Sequence, residues 1–519
     1  MNSPHGPDNS LTPDQPLAGP SQEPQQFRES QVLQRVPSGI AGLDTILNGG
    51  FMQGGIYFIS GQPGSGKTIL SNQIAFSHAA SGGRAVFASL LSETHARMFA
   101  HLGTMSFFNR EPIGDTLYFI SGYSVLQKEG LSGLLRLLQG AIRDHKATLL
   151  IVDGSLNAEA FAQSELAFKE FIHLLQTYAD AYGCTILLLS SLDTGEAMAE
   201  AIAGQTTVDG LIRLSNKLTG LRSIRELQVQ KFRGSGFLEG THALEISDDG
   251  VQVYPRIEAL LGLRAEVHTS VKASRERLAF GVEKLDEMLH GGVLVGSSTV
   301  AFGPPGSGKT LLGLTYLAEG ARQGQQGLYF GLNEPSAFAI DAADQIGLNF
   351  TDFVEQGRIQ MLGQPAVEGS LDVLAHTLLA AVREHNVQRL VIDGLDAFDD
   401  VNVHPQRIAL FFTALMGELR ARGVTTISTV ELDSFFGPAV DIPREGISAR
   451  VENIIFLRTV ELRSGLHRII SVLKTRRTGH DGAIRDFKIS DRGLEVGDKF
   501  ESAEGILTGM ARSLFGSDK

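Results

Sequence analysis

Residues 38–68 read SGIAGLDTILNGGFMQGGIYFISGQPGSGKT, and residues 280–310 read FGVEKLDEMLHGGVLVGSSTVAFGPPGSGKT. The stretches share an LD pair, a double glycine and a final GSGKT; Asp44 and Asp286, like Lys67 and Lys309, stand 242 positions apart. A period that long is too large for a solenoid unit and fits a whole domain present twice. Each stretch ends in G-x-x-x-x-G-K-T, after an apolar β run and at the head of a helical run, the context in which such a loop wraps a phosphate chain. Gly61, Gly64, Ser65, Gly66, Lys67 and Thr68 make one loop; Gly303, Gly306, Ser307, Gly308, Lys309 and Thr310 make the other. Glycines let backbone N–H groups curl around a β-phosphate, and the helix N-terminus adds its dipole. The lysine reaches the β- and γ-oxygens, and the threonine hydroxyl ligates Mg2+. A single match could be a tight glycine turn, but two in register make chance negligible.

Around the first loop, β-rich runs (GGIYFIS, RAVFASLL, ATLLIVD, CTILLLS) alternate with helical stretches (TILSNQIAFSHAASGG, GLSGLLRLLQGAIRDHK). That alternation predicts mostly parallel strands with helices on both faces. The last third of each copy, LIRLSNK to RELQVQKFRG and IIFLRTVEL to HRIISVLKTRR, reads as consecutive strands and predicts an antiparallel extension of the sheet edge. The expected fold class is α/β, two tandem P-loop NTPase domains at about 31–260 and 277–500. Residues 261–276, where charge replaces apolar periodicity, are the expected linker, and 501–519 a tail. Residues 1–30 hold six of the 17 prolines and almost no large apolar side chains, so they read as a disordered arm.

Composition narrows the function. With 42% hydrophobic and 20% charged residues and one cysteine, the chain is no disulfide-stapled scaffold. Cys184, inside CTILLL, reads as a buried strand residue rather than a reactive thiol. A net charge of −13 repels polyanions and anionic membranes, which argues against a nucleic-acid partner. No apolar run long enough to span a bilayer and no basic, then hydrophobic, start is present, so the expectation is a cytoplasmic protein without a membrane span.

Two further residue sets belong to the phosphate loops. Asp153 ends ATLLIVD and Asp393 ends QRLVID, at nearly the same distance past Lys67 and Lys309. An aspartate at the end of a buried strand holds Mg2+ through water; capping alone would explain one, and the matched pair favours the metal role. Asp396, Asp399 and Asp400 read as loop and cap residues. A carboxylate at the tip of the strand after the first helix can take a proton from attacking water in this branch of P-loop ATPases. Glu93 and Glu334, in FASLLSETH and YFGLNEPS and again at nearly matching distances past their lysines, are the candidates.

These residues resemble the KaiC family, tandem RecA-like ATPases best known from the cyanobacterial circadian clock. The likeness covers about residues 33–512 and rests on the LD…GG lead-in, both loops, both strand-end aspartates and late basic motifs. Those motifs are Lys231-Phe-Arg233-Gly and Lys474-Thr-Arg476-Arg-Thr-Gly-His480-Asp481, with the ending AIRDFKISDRGLEV. The resemblance implies two RecA-like domains, a homohexamer of two stacked rings, ATP between neighbouring subunits, and Lys231, Arg233, Lys474 and Arg476 reaching the γ-phosphate from next door. Cationic groups supplied in trans can neutralise transition-state charge; the plain alternative is four exposed strand residues.

Two departures matter. Clock members carry paired glutamates at the water-activating position, where this chain has Ser92-Glu93 and Asn333-Glu334. They also carry an adjacent Ser-Thr pair for autophosphorylation, where this chain has Ser448-Ala449. Ser448 remains as a single possible phosphoacceptor. The reading is a Mg-ATP-dependent ATPase coupling hydrolysis to ring conformation and signalling, with residual Ser/Thr autokinase activity an open point. The alternatives are an ATP-bound scaffold for a regulatory partner and, least favoured, a RecA-like nucleic-acid motor.

Overall fold

A computed structural model describes residues 34–91, 95–162, 164–191, 208–264, 275–364, 370–401, 404–432, 451–462, 465–499, 503–504 and 512–513. The arm at 1–30, Ser92, Glu93 and the Ser448-Ala449 pair lie outside the described residues.

Two nine-stranded sheets of identical topology follow one another along the chain. The first contains β1 (Ile56–Gly61), β2 (Ala85–Ser89), β3 (Leu117–Ser121), β4 (Leu149–Asp153), β5 (Thr185–Ser191), β6 (Gly210–Thr219), β7 (Arg222–Phe232), β8 (Thr241–Ser247) and β9 (Gly250–Tyr254). The second contains β10 (Ser298–Gly303), β11 (Gly327–Gly331), β12 (Ile359–Gly363), β13 (Arg389–Asp393), β14 (Thr425–Glu431), β15 (Asn453–Leu462), β16 (Gly465–Thr475), β17 (Arg485–Ser490) and β18 (Gly493–Lys499). Their orders are β3-β2-β4-β5-β1-β6-β7-β8-β9 and β12-β11-β13-β14-β10-β15-β16-β17-β18.

Six strands of each sheet run parallel, and antiparallel pairing begins only at β6–β7 and β15–β16. LIRLSNK, the first run of the late strands, therefore pairs parallel with β1. The chain is thus two tandem RecA-like α/β domains, each a mostly parallel sheet with helices and an antiparallel edge.

Alternation along the strands divides each lobe into two cores. In lobe one, Tyr57 and Ile59 of β1 face Leu70 and Ile74 of α1 (Lys67–Ala80). Their neighbours Ile56 and Phe58 face Leu134 and Leu138 of α2 (Tyr123–His145) and Phe168 and Ile172 of α3 (Glu165–Tyr182). Burying each such side chain contributes about 1.5–3 kcal/mol. Cys184 lies in that second core, and burial pushes its thiol up to about 12.

The repeated lead-in is architectural. The Asp44 carboxylate accepts the N–H groups of Ser38 and Gly39 at 2.7 and 3.2 Å, and Asp286 accepts those of Phe280 and Gly281 at 2.7 and 3.0 Å. Arg35 and Arg277 each donate to the carbonyl two residues before the double glycine and to that of its second glycine, Leu47 and Gly50 in one copy, Leu289 and Gly292 in the other. These repeated residues close a turn before β1 and β10, away from the phosphate loops.

The lobes are joined by α4 (Ile257–Arg264), which directly follows β9. Ile257 packs in a core of lobe two, together with residues of α6 (Leu371–Glu384) and α7 (Ile408–Ala421), while α5 (Lys309–Arg322) covers the opposite sheet face. Arg407, just before α7, donates to both Glu258 oxygens at 2.7 and 2.8 Å and to Asp372 at 2.6 Å. Asp372 also accepts the Ile257 N–H at 3.2 Å, so one buried carboxylate ties the two lobes together. Among the described residues no helix is long and apolar enough to cross a membrane.

Candidate functional site: two phosphate loops

In each lobe the loop leaves the C-terminal end of the central strand and runs straight into a helix, β1 to α1 and β10 to α5. Gly64 and Gly306 have φ of +77° and +70° with open space where a Cβ would stand. Gly66 and Gly308 cap the helices in the left-handed region, at φ +101° and +99°. A Cβ at Gly66 would meet Ile246 at 2.6 Å, and one at Gly308 would meet Phe487 at 2.8 Å. Only glycine turns this tightly while exposing its N–H.

The lysines are folded back over their own loops. Lys67 Nζ donates to the Gly61 and Gln62 carbonyls at 2.7 and 3.0 Å; Lys309 Nζ donates to those of Gly303 and Pro304 at 2.8 and 2.9 Å. Burial lowers the Lys309 pKa, opposed by Glu431, Asp393 and Asp396. Ser65 and Ser307 are buried, and their hydroxyls have no partner among the described residues.

The threonines and strand-end aspartates meet. Thr68 Oγ1 donates to Asp153 Oδ2 at 3.2 Å, and Thr310 Oγ1 lies 3.2 and 3.0 Å from the two Asp393 oxygens. Asp393 has two further hydroxyl donors, Tyr329 at 2.6 Å and Thr429 at 2.5 Å. Burial and the adjoining carboxylate hold the Tyr329 phenol above its ordinary range, so it stays a donor. Among the described residues no group of three or more His, Cys, Asp or Glu could hold a metal ion. A threonine hydroxyl beside one carboxylate instead suits Mg2+, which binds through one or two protein oxygens and keeps phosphate and water as its other ligands.

In lobe two the loop opens into a cleft of about 540 Å³ lined by Lys309, Thr310, Glu334, Asp393, Glu431 and Arg468. Glu334 and Asn333 are exposed at the end of β11, over the loop. Arg468 Nε donates to the Gly306 carbonyl at 3.2 Å, from the same chain.

Comparison with known proteins fits this geometry. A family model described as ATPase: KaiC matches residues 36–258 and again 278–501. The chain belongs to the KaiC ATPase family. Similar curated proteins include the circadian clock oscillator protein KaiC of Picosynechococcus sp., 27% identical over 486 residues and 92% of each chain. The KaiC 1 protein of Synechocystis sp. is 26% identical over the same shares, and KaiC of Synechococcus elongatus is 25% identical over 94% of this chain and 93% of its own.

The late basic motifs of this KaiC family member stand away from their own loops. Lys231 pairs with Leu211 and Phe232 with Gly210, and Gly210 pairs with Tyr57 near the start of β1, whereas the loop leaves its end at Gly61. Arg233 follows, its N–H bonded to the Asp209 carbonyl at 2.7 Å. At the rise of an extended strand the two ends are about 13 Å apart. Lys474, paired with Ile454, and Arg476, whose N–H donates to the Glu452 carbonyl, repeat this in lobe two. Lys474 Nζ donates to the Val451 carbonyl at 3.0 Å. Burial and the nearby arginine lower the pKa of both Lys231 and Lys474. Asp481 is engaged by Arg485 at 2.9 Å and His480 by Thr475 at 3.0 Å.

Tyr329, Thr429, Glu431 and Arg468 join the site without being evident from the sequence. An Arg at the same register in both lobes, Arg225 and Arg468, was the available signal for the last. The others sit in strands whose apolar neighbours mark them as core.

Proposed function

We propose that this KaiC family protein binds Mg-ATP at both loops and hydrolyses it slowly, using the cycle to change the shape of a ring of subunits. The observation carrying the reading is the repeated constellation of Lys, Thr and strand-end Asp at the end of a central parallel strand. Loop N–H groups and Lys67 or Lys309 hold the phosphates; the lysine exchanges its loop carbonyls for phosphate oxygens. Thr68 with Asp153, and Thr310 with Asp393, would hold Mg2+. The cation supplies charge neutralisation on the β- and γ-oxygens. Glu93 and Glu334 orient the attacking water and accept its proton. Lys231, Arg233, Lys474 and Arg476, remote from their own loops, suit delivery to a neighbour's γ-phosphate, which makes a closed homo-oligomer, a hexamer by family likeness, the working unit.

A second reading, a nucleotide-bound scaffold for a signalling partner with little turnover, is favoured by Asn333, an amide at the place of a first glutamate. Phosphate release with Mg-ATP, beside Glu93→Gln and Glu334→Gln, separates the two. A fall of about 10²–10⁴-fold at the substituted site, as for loss of a general base, supports hydrolysis. Nucleotide binding without release above background supports the scaffold. A phosphate added to the intact mass and lost in Ser448→Ala would assign autokinase activity.

A further inference from the structure

We propose that Tyr329 is a positioning residue for Asp393 and tightens Mg2+ binding in lobe two; this rests on the Mg-nucleotide reading above. Tyr329 lies on β11, buried, with its hydroxyl donating to Asp393 Oδ2 at 2.6 Å. On the other oxygen, Thr429 of β14 donates to Oδ1 at 2.5 Å, while its own oxygen accepts the Gly394 N–H at 2.8 Å. That second bond fixes the Thr429 hydroxyl, so its proton is committed to Asp393. An ionised carboxylate offers about four lone-pair positions. Two fixed donors take one on each oxygen and leave the rest for Thr310 and for a hydrated cation.

Lobe one places no hydroxyl at either of these register positions. Phe87 stands beside Ile151 where Tyr329 stands beside Val391, and Leu189 stands beside Asp153 where Thr429 follows the Ile392–Ser428 pair. Neither of those side chains carries a donor. The tyrosine also comes with a matching glycine. A Cβ at Gly331 would lie 2.7 Å from Tyr329 Cε1, whereas lobe one has Ser89 at the corresponding place after Phe87. The ring leans over the strand end into space that a side chain at 331 would fill. A carboxylate already locked by its neighbours needs no reorganisation when the cation arrives, and losing such outer partners typically costs about 10–100-fold in metal affinity.

The test uses the full-length chain carrying Lys67→Ala, so that a fluorescent ATP analogue reports lobe two, and titrates Mg2+ at fixed analogue. Tyr329→Phe is expected to raise the Mg2+ midpoint about tenfold while binding in EDTA stays the same. Gly331→Ser, which displaces the ring, is expected to raise it too. In the reciprocal chain carrying Lys309→Ala, lobe one's midpoint is expected to stay put with either substitution. An unchanged lobe-two midpoint in Tyr329→Phe overturns the proposal, and so does a lowered melting temperature without a midpoint change, which marks a merely structural hydroxyl. A Lys67→Ala parent that binds no analogue at any Mg2+ concentration overturns the nucleotide reading beneath it.

Discussion

His242 shows how one residue sets a pH limit on this fold. It is fully buried in β8, its Nε2 donating to the Leu238 carbonyl and its Nδ1 accepting the Arg256 N–H, both at 3.0 Å. That pattern needs a neutral ring, because a protonated Nδ1 would face another donor. Burial lowers its pKa to about 4, with Arg256 and Arg407 adding to the effect and the Leu238 carbonyl and Glu258 opposing it. The unfolded chain takes this proton near pH ~6.5 and the folded chain only near pH 4, so stability falls as pH drops through that window. The loss for this group is up to about 3 kcal/mol. His242→Gln is expected to flatten the dependence of the urea midpoint between pH ~7 and ~5 by one proton; identical slopes in both proteins would contradict the assignment.

At the scale of elements, each phosphate loop depends on a glycine that caps a helix in the left-handed region. Gly308→Ala is expected to cost about 1–2 kcal/mol for the backbone alone, plus displacement of Phe487 and Ile489, which a Cβ would meet at 2.8 and 3.0 Å. Melting temperature and nucleotide binding at lobe two should both fall, with lobe one unaffected. Loops, α1, α5 and the strands that feed them were legible because a motif and a domain-length repeat coincide there. Direction was harder to read. β6 and β15 resemble the strands after them in sequence, and only the crossover from the other side of the sheet makes them parallel. Tyr329 was illegible for a similar reason: within GLYFG its ring reads as core, and nothing local says that its hydroxyl reaches the end of β13, far along the chain. The double glycine and LD pair mark the repeat clearly, yet their work is to close a turn. Lys231 and Lys474 were legible as a motif only through the family, since a single chain places them at the wrong end of the sheet for their own loop.

Across the whole molecule, the lobes are coupled by the Arg407, Glu258 and Asp372 junction, whose side chains are 16%, 14% and 2% exposed. Arg407→Ala leaves a buried carboxylate without its cation, a change that typically costs about 3–5 kcal/mol. Thermal unfolding is expected to broaden or split into two steps as the lobes lose their tie, while a single sharp step at the parent temperature would show that the junction contributes little. The same topology twice in one chain, with a Lys-Thr-Asp constellation at each central strand, is the basis for the proposal of two nucleotides per chain. The most direct measurement is the amount of ATP bound per chain at saturation with Mg2+, in the parent protein and in Lys67→Ala and Lys309→Ala. Two are expected in the parent and one in each variant; a parent that binds one or none, or a variant that still binds two, would contradict two nucleotide sites per chain.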